Sequence, residues 1–241
     1  MPRETRSDYP GATHHIYVRG VDRSTIAVDE IDYLRTLRLL ERAVSRFELR
    51  CHAWAFLPNH NHLLLTSENG NISDAMRWFN GCCAQEFNAR HERSGHLYQG
   101  RFGSKLVEDD AYFLVLTRYL ALNPSEAGLC EHPKDWLWSS YAATAGLLPP
   151  PVYLDTDAVL ELLGSTAAYV EWVAVGVGDV WLDDQGVPLP PARPALDVLL
   201  PVDSDRGIAI AHFRYGYTRT AIASHLGVSR WQIGRRLALL A

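Results

Sequence analysis

The chain has 241 residues, 47% of them hydrophobic, 21% charged and 10% aromatic, enough apolar material to fill the cores of one or two domains. No run approaches the roughly 20 apolar residues of a membrane-spanning helix, and the start MPRETRSDYPG lacks the apolar stretch of a secretory signal. Cys51, Cys82, Cys83 and Cys130 follow no CxxC spacing, which excludes a zinc ribbon or a disulfide framework and points to a cytoplasmic protein with no membrane partner.

The net charge of −5 is unevenly spread. Residues 1–145 hold 16 Lys and Arg against 18 Asp and Glu; residues 146–205 hold one Arg against ten acids; residues 206–241 hold six Arg and no acid. Screening confines charge effects to roughly 8 Å, so a polyanion meets local charge and the last segment is the first candidate for binding DNA.

In chain order, HIYVRG (15–20) predicts a strand. Residues 29–47 predict an amphipathic helix with Ile31, Leu34, Leu37, Leu40 and Val44 on one stripe. ELRCHAWAF (48–56) and HNHLLLT (60–66) predict strands around the turn Leu57-Pro58-Asn59. A helix over 73–91, a strand over 101–108 and a helix over 109–123 follow, the last with two acids in its first turn. The order β-α-β-β-α-β-α predicts an α+β fold, a ferredoxin-like antiparallel sheet with helices on one face. Eight of the thirteen prolines fall between 149 and 201. Two short helices, in DTDAVLELLG and AAYVEWVAVG, stand between the proline clusters. The expected domains are therefore 1–176, an acidic proline-rich linker over 177–205, and a small all-α unit over 206–241.

His60 and His62 are two apart in a strand, so both rings face one way. Such a pair can hold a divalent ion; it also fits two partly exposed polar side chains. Tyr119 and Asn123 share a helix face at i,i+4. A phenol beside a cation is a candidate nucleophile, because the charge lowers its pKa from about 10, and the amide oxygen could be a third ligand. A tyrosine at helical spacing also fits simple core packing. Arg101 and Lys105 lie four apart on a strand and Arg118 precedes Tyr119; they fit phosphate contacts or solvated charges. Tyr98 and Phe102 fit stacking platforms for bases or, better, core positions. His14, His15 and His96 have no ligand-like spacing.

The segments LPNHNHLLL, QEFNARHERSGHLYQGRF, TRYLALNPSEAGL and WLWSSYAA resemble, in order and approximate spacing, the REP-associated tyrosine transposases. These are single-tyrosine members of the His-hydrophobe-His nuclease superfamily, related to the small insertion-sequence transposases. The resemblance covers about 14–176. It implies a DNA-cleaving and rejoining enzyme, with His60 and His62 as metal pair, Asn123 as third ligand, Mg²⁺ or Mn²⁺ as cofactor and Tyr119 as nucleophile. The implied substrate is a single-stranded DNA hairpin, the implied intermediate a 5′-phosphotyrosine, and the implied assembly a monomer or homodimer. One departure stands out: the middle of the His pair, usually apolar, is Asn61, and a buried amide needs partners or costs about 1–3 kcal/mol.

TRTAIASHLGVSRWQIGRRLALL carries a separate pattern. Ala223, Gly227 and Ile233 mark helix crossing, turn and second helix, with Ile222, Leu226, Val228 and Leu237 apolar, as in a helix-turn-helix; a three-helix packing module is the plainer alternative. Ser229 would cap the second helix and leave Arg230, Gln232, Arg235 and Arg236 toward duplex DNA. Gln232 fits either a base contact or a capping box with Ser229. A non-catalytic DNA-binding regulator on a transposase fold is the rival reading. A replication or plasmid-transfer initiator is the other, though those usually carry extensions that this chain lacks.

Overall fold

The computed structural model describes residues 8–176, 195–215 and 217–238. The chain divides into two compact units. The first comprises residues 1–107, 135–140 and 151–155; the second comprises 108–134, 141–150 and 156–241.

The first unit is built on four strands, β1 (Ala12–Arg19), β2 (Leu49–Phe56), β3 (His60–Ser67) and β4 (Gly103–Leu106), in the order β2-β3-β1-β4. All neighbouring pairs are antiparallel. Helix α1 (Glu30–Phe47) links β1 to β2, and α2 (Ile72–Arg90) links β3 to β4. Each helix thus joins two parallel strands with one antiparallel strand between them, and right-handed crossovers put both helices on one face. This is the expected ferredoxin-like α+β arrangement.

Local chemistry explains the helix positions. Asp29 caps α1 by accepting from the backbone N–H groups of Ile31 and Asp32. The start of α1 is pinned to the end of α2, where Arg90 pairs with Asp29 and Asp32 and His91 with Asp32. Tyr33 stacks on Trp138 at 4.7 Å between ring centres. These contacts set the inner face of α1 as Asp32, Tyr33, Leu39, Leu40, Ala43 and Val44. Ile31 and Leu34, expected on the buried stripe, are exposed.

Strand alternation gives the sheet two different faces. Ile16, Val18, Leu63 and Leu65 fill one with apolar core. Asn61 also points this way, buried and opposite Val18 in register. The other face carries Thr13, His15, Tyr17 and Arg19 from β1 beside His60, His62, Leu64 and Thr66 from β3.

The second unit holds α3 (Asp110–Glu126), α4 (Tyr141–Thr144), α5 (Asp157–Leu163), α6 (Thr166–Val175), α7 (Leu196–Leu199), α8 (Asp205–Ala209), α9 (Arg219–Leu226) and α10 (Arg230–Ala238). A π-helical turn, Ile210–Arg214, follows α8. Trp172 of α6 donates to the Leu114 carbonyl of α3 at 3.1 Å and is fully buried. Most of the expected linker, 177–194, lies outside the described residues; its remainder contains α7. α9 and α10 are separated by Gly227, in the left-handed region at φ 67°, Val228 and Ser229, and Ile222, Ala223, Ile233 and Leu237 are buried. Among the described residues, no single helix is long and apolar enough to cross a membrane.

Candidate active site

The polar face of the sheet carries the first group of candidates. His60 and His62 stand on β3 with ring centres 5.0 Å apart and planes nearly perpendicular. His60 Nδ1–H donates to the side-chain oxygen of Asn59 at 2.7 Å, so the turn that ends at Asn59 also orients the ring. His62 Nδ1 lies 3.0 Å from His15 Nε2. Tyr17, opposite His62 in register, packs with its ring centre 6.4 Å from that of His62 and 5.7 Å from that of His15. Gly103, opposite Tyr17 on β4, makes room for that ring: a Cβ there would lie 2.1 Å from it.

Burial, then the neighbouring rings of His15 and His60 and the charge of Arg19, hold the pKa of His62 well below its ordinary value. The ring is therefore neutral near pH 7, the form that ligates metals. A second polar run crosses the same face. His52 is bulged out of register on β2, bonds Thr66 at 2.7 Å and lies 3.5 Å from Asp155; Thr66 in turn bonds Thr13 at 2.7 Å. Lys105 stands opposite His15 on β4. Arg101 is exposed at the rim of a cavity of about 800 Å³, which Met76, Asn80, Tyr98 and Phe102 help to line. Phe102 is buried, as its core reading expects.

Tyr119 and Asn123 lie one turn apart on α3, in the second unit, and both are buried. The Asn123 side-chain oxygen has no hydrogen-bond partner among the described residues. A buried acceptor left so costs about 1–3 kcal/mol, which makes this oxygen a fitting ligand for a cation. Among the described residues no three His, Cys, Asp or Glu side chains gather as a metal cluster. Within the first unit the donors suited to a divalent ion are the imidazoles of His60 and His62, and within the second unit the amide oxygen of Asn123.

The five expected DNA contacts of the second unit all have partners within the protein. Arg118 is 3% exposed, with its guanidinium 4.1 Å from the centre of the Trp172 ring; a Cβ on Gly176 would lie 2.2 Å from its side chain. It is a packed structural cation and not an exposed phosphate contact. Gln232 accepts from Ser229 N–H at 2.8 Å while its own N–H donates to the Ser229 hydroxyl at 3.2 Å. That closes the capping box and turns the glutamine away from a base. Arg236 pairs with Asp203 and Asp205. Arg230 donates to the Glu161 carbonyl at 2.9 Å, and Arg235 lies over the ring of Trp231, which is 67% exposed. His15 and Asn59, which engage the Nδ1 atoms of His62 and His60, carry no signal of their own in the sequence. Cross-strand register, invisible in one strand's sequence, makes His15 relevant.

Residues 9–123 match the family model described as "Transposase IS200 like". This segment is similar to the insertion-sequence 200-like transposases. The matched segment holds all four expected residues, His60, His62, Tyr119 and Asn123. The chain is also similar to a solved REP-associated tyrosine transposase bound to a REP hairpin, at 18% identity and a TM-score of 0.53, covering 64% of this chain and 92% of that one. That likeness bears on the fold. A Deinococcus radiodurans R1 protein provisionally assigned as a transposase is similar at 17% identity and a TM-score of 0.36, over 47% of this chain and 92% of the other. No curated protein matches.

Proposed function

We propose that the transposase-like segment cleaves and rejoins single-stranded hairpin DNA through Tyr119. The observation that carries this reading is the pair His60 and His62, set on one face of β3 with each Nδ1 already engaged, inside the segment similar to those transposases. His60, His62 and Asn123 would hold Mg²⁺ or Mn²⁺, which polarises a phosphate oxygen and offsets charge in the transition state when bound. The phenol gives its proton to solvent as the Tyr119 oxygen attacks phosphorus, the P–O3′ bond breaks, and the departing oxygen takes a proton from solvent to leave a 3′-hydroxyl and a 5′-phosphotyrosine. Attack by a 3′-hydroxyl on that ester rejoins the strand and restores the phenol. Arg101, at the rim of the cavity, and Lys105 are assigned to the single strand, and the cavity itself to unpaired bases.

The basic helices α9 and α10 are proposed to bind duplex DNA, with Arg230 at the exposed start of α10 and Arg235 in its last turn. A second reading, a DNA-binding regulator without catalysis, is favoured by one observation: Tyr119 is 4% exposed. Incubating the protein with hairpin single strands and Mn²⁺, then resolving covalent adducts under denaturing conditions, separates the two. An adduct that chelator abolishes, and that His60→Ala and His62→Ala each lose, is expected for the enzyme. An adduct formed at full rate in excess chelator sinks the metal mechanism, and binding with no adduct supports the regulator.

A further inference from the structure

Two histidines of the expected metal pair are held by their Nδ1 atoms, but their anchors differ in kind. Asn59 offers an amide oxygen, which only accepts, so the proton of this bond belongs to His60 Nδ1. His15 offers an imidazole nitrogen, which can donate or accept, so the bond at 3.0 Å leaves the proton's owner to be decided by chemistry. The two rings lie 18° from coplanar with centres 5.2 Å apart. With the nitrogens at 3.0 Å, that spacing means rings meeting edge to edge along one N–H···N line, and not face to face. His15 is fully buried, and Lys105 and Tyr17 flank it through register and ring contact. A buried histidine beside another buried histidine is a costly placement unless the pair shares a proton in a fixed sense.

We infer that His15 is a positioning residue: its Nε2 accepts the proton of His62 Nδ1–H and so commits His62 to ligate through Nε2. This rests on the metal reading above and adds the residue that fixes the tautomer and the ring plane of one ligand. The physical reason is general. A ligating imidazole gives one nitrogen to the ion, and the hydrogen bond of the other sets its orientation and basicity; loss of such a partner typically lowers metal affinity 10–100-fold. Asn59 does this for His60 from the preceding turn, and His15 does it for His62 from the neighbouring strand.

Long-range ¹H–¹⁵N spectra of the metal-free full chain, assigned with His15→Gln and His62→Ala, report which nitrogen of each ring carries its proton. Protons on Nδ1 of both His15 and His62 are expected. Mn²⁺ titration calorimetry then compares the parent with His15→Phe and His15→Gln. His15→Phe should bind Mn²⁺ about 10–100-fold more weakly. His15→Gln should recover most of the loss, because its amide oxygen falls where Nε2 was and accepts the same proton. A proton on Nε2 of His62, or a folded His15→Phe protein that binds Mn²⁺ as tightly as the parent, overturns the proposal while leaving the metal site standing. A parent chain that binds no Mn²⁺ overturns both. Should His15→Phe fail to fold, the spectra of the unsubstituted chain and the His15→Gln titration still decide.

Discussion

Tyr119 combines a proposed chemical role with a packing position, and the two ask different things of one side chain. A nucleophile must reach phosphorus, yet the phenol is buried on α3, so substrate access requires a rearrangement around it. Tyr119→Phe keeps the ring and removes only the oxygen. Hairpin binding should stay within about twofold of the parent, since one hydroxyl contributes little to binding through phosphates, and the covalent adduct should vanish. Gel-shift and denaturing-gel assays on the same DNA check both; an adduct at the parent's rate would assign the chemistry to another residue. Gly103 permits a sharper structural test, because Ala there would place Cβ inside the Tyr17 ring. Gly103→Ala should lower stability by about 1–3 kcal/mol, measured by urea unfolding. At this scale the His60–His62 pair was legible, because alternation in a strand is a property of one segment. The role of His15 was not, because it arises only when β1 pairs with β3 in the register that sets Tyr17 opposite His62.

Among the elements, α1 shows where periodicity stops being informative. Leu40 and Val44 are buried as expected, but the first turns rotate to bury Asp32 and Tyr33. The ion pairs with Arg90 and the stacking on Trp138 lie far away in sequence. Helix α5 ends in a similar convergence. Gly164 caps it at φ 106°, and the guanidinium groups of Arg219 and Arg230 both donate to the Glu161 carbonyl, where the helix dipole is negative. A Cβ on Gly164 would lie 2.5 Å from Arg219. Arg118 tests the reassignment made above: Arg118→Met should lower the melting temperature, by losing the Trp172 stacking, without changing the salt dependence of duplex binding. A flattened salt dependence would return Arg118 to the DNA surface. The π-helical turn yields a pH prediction. Burial, partly offset by the bond to the Tyr217 carbonyl, lowers the His212 pKa from 6.5 to about 4. The unfolded chain takes this proton at the higher value, so the contribution is full above about 6.5 and is lost as pH falls toward about 4. Stability should drop by about 2 kcal/mol between pH 7 and pH 5 in urea titrations, and His212→Gln should remove that part of the drop. Equal pH dependence in both proteins would mean that His212 titrates normally.

Across the whole molecule, the charge division visible in the sequence turns out to be partly closed by the fold. The six arginines of 206–241 follow ten acids in the preceding sixty residues of sequence, and Arg236 is paired with Asp203 and Asp205. What the counts could not show is that the last basic helix carries its own counter-charge just upstream. Such surface pairs contribute only about 0–1 kcal/mol, so a DNA phosphate can displace them, and the two aspartates act as weak competitors for the same guanidinium. If α10 binds duplex DNA, Asp203→Asn with Asp205→Asn should tighten that binding, since Arg236 no longer exchanges one partner for another. Removing two negative charges beside the surface should also steepen log K against log [salt], by about 0.9 per additional phosphate neutralised. Arg236→Ala should do the opposite, weakening binding on every sequence and flattening the slope, whereas Arg230→Ala should relax preference at one base position. The measurement is duplex affinity by fluorescence anisotropy at several salt concentrations, for the parent and each variant in the full chain. If the double aspartate variant and Arg236→Ala both leave affinity and slope at parental values, Arg236 stays with its aspartates in the complex, and α10 does not present this charge to DNA.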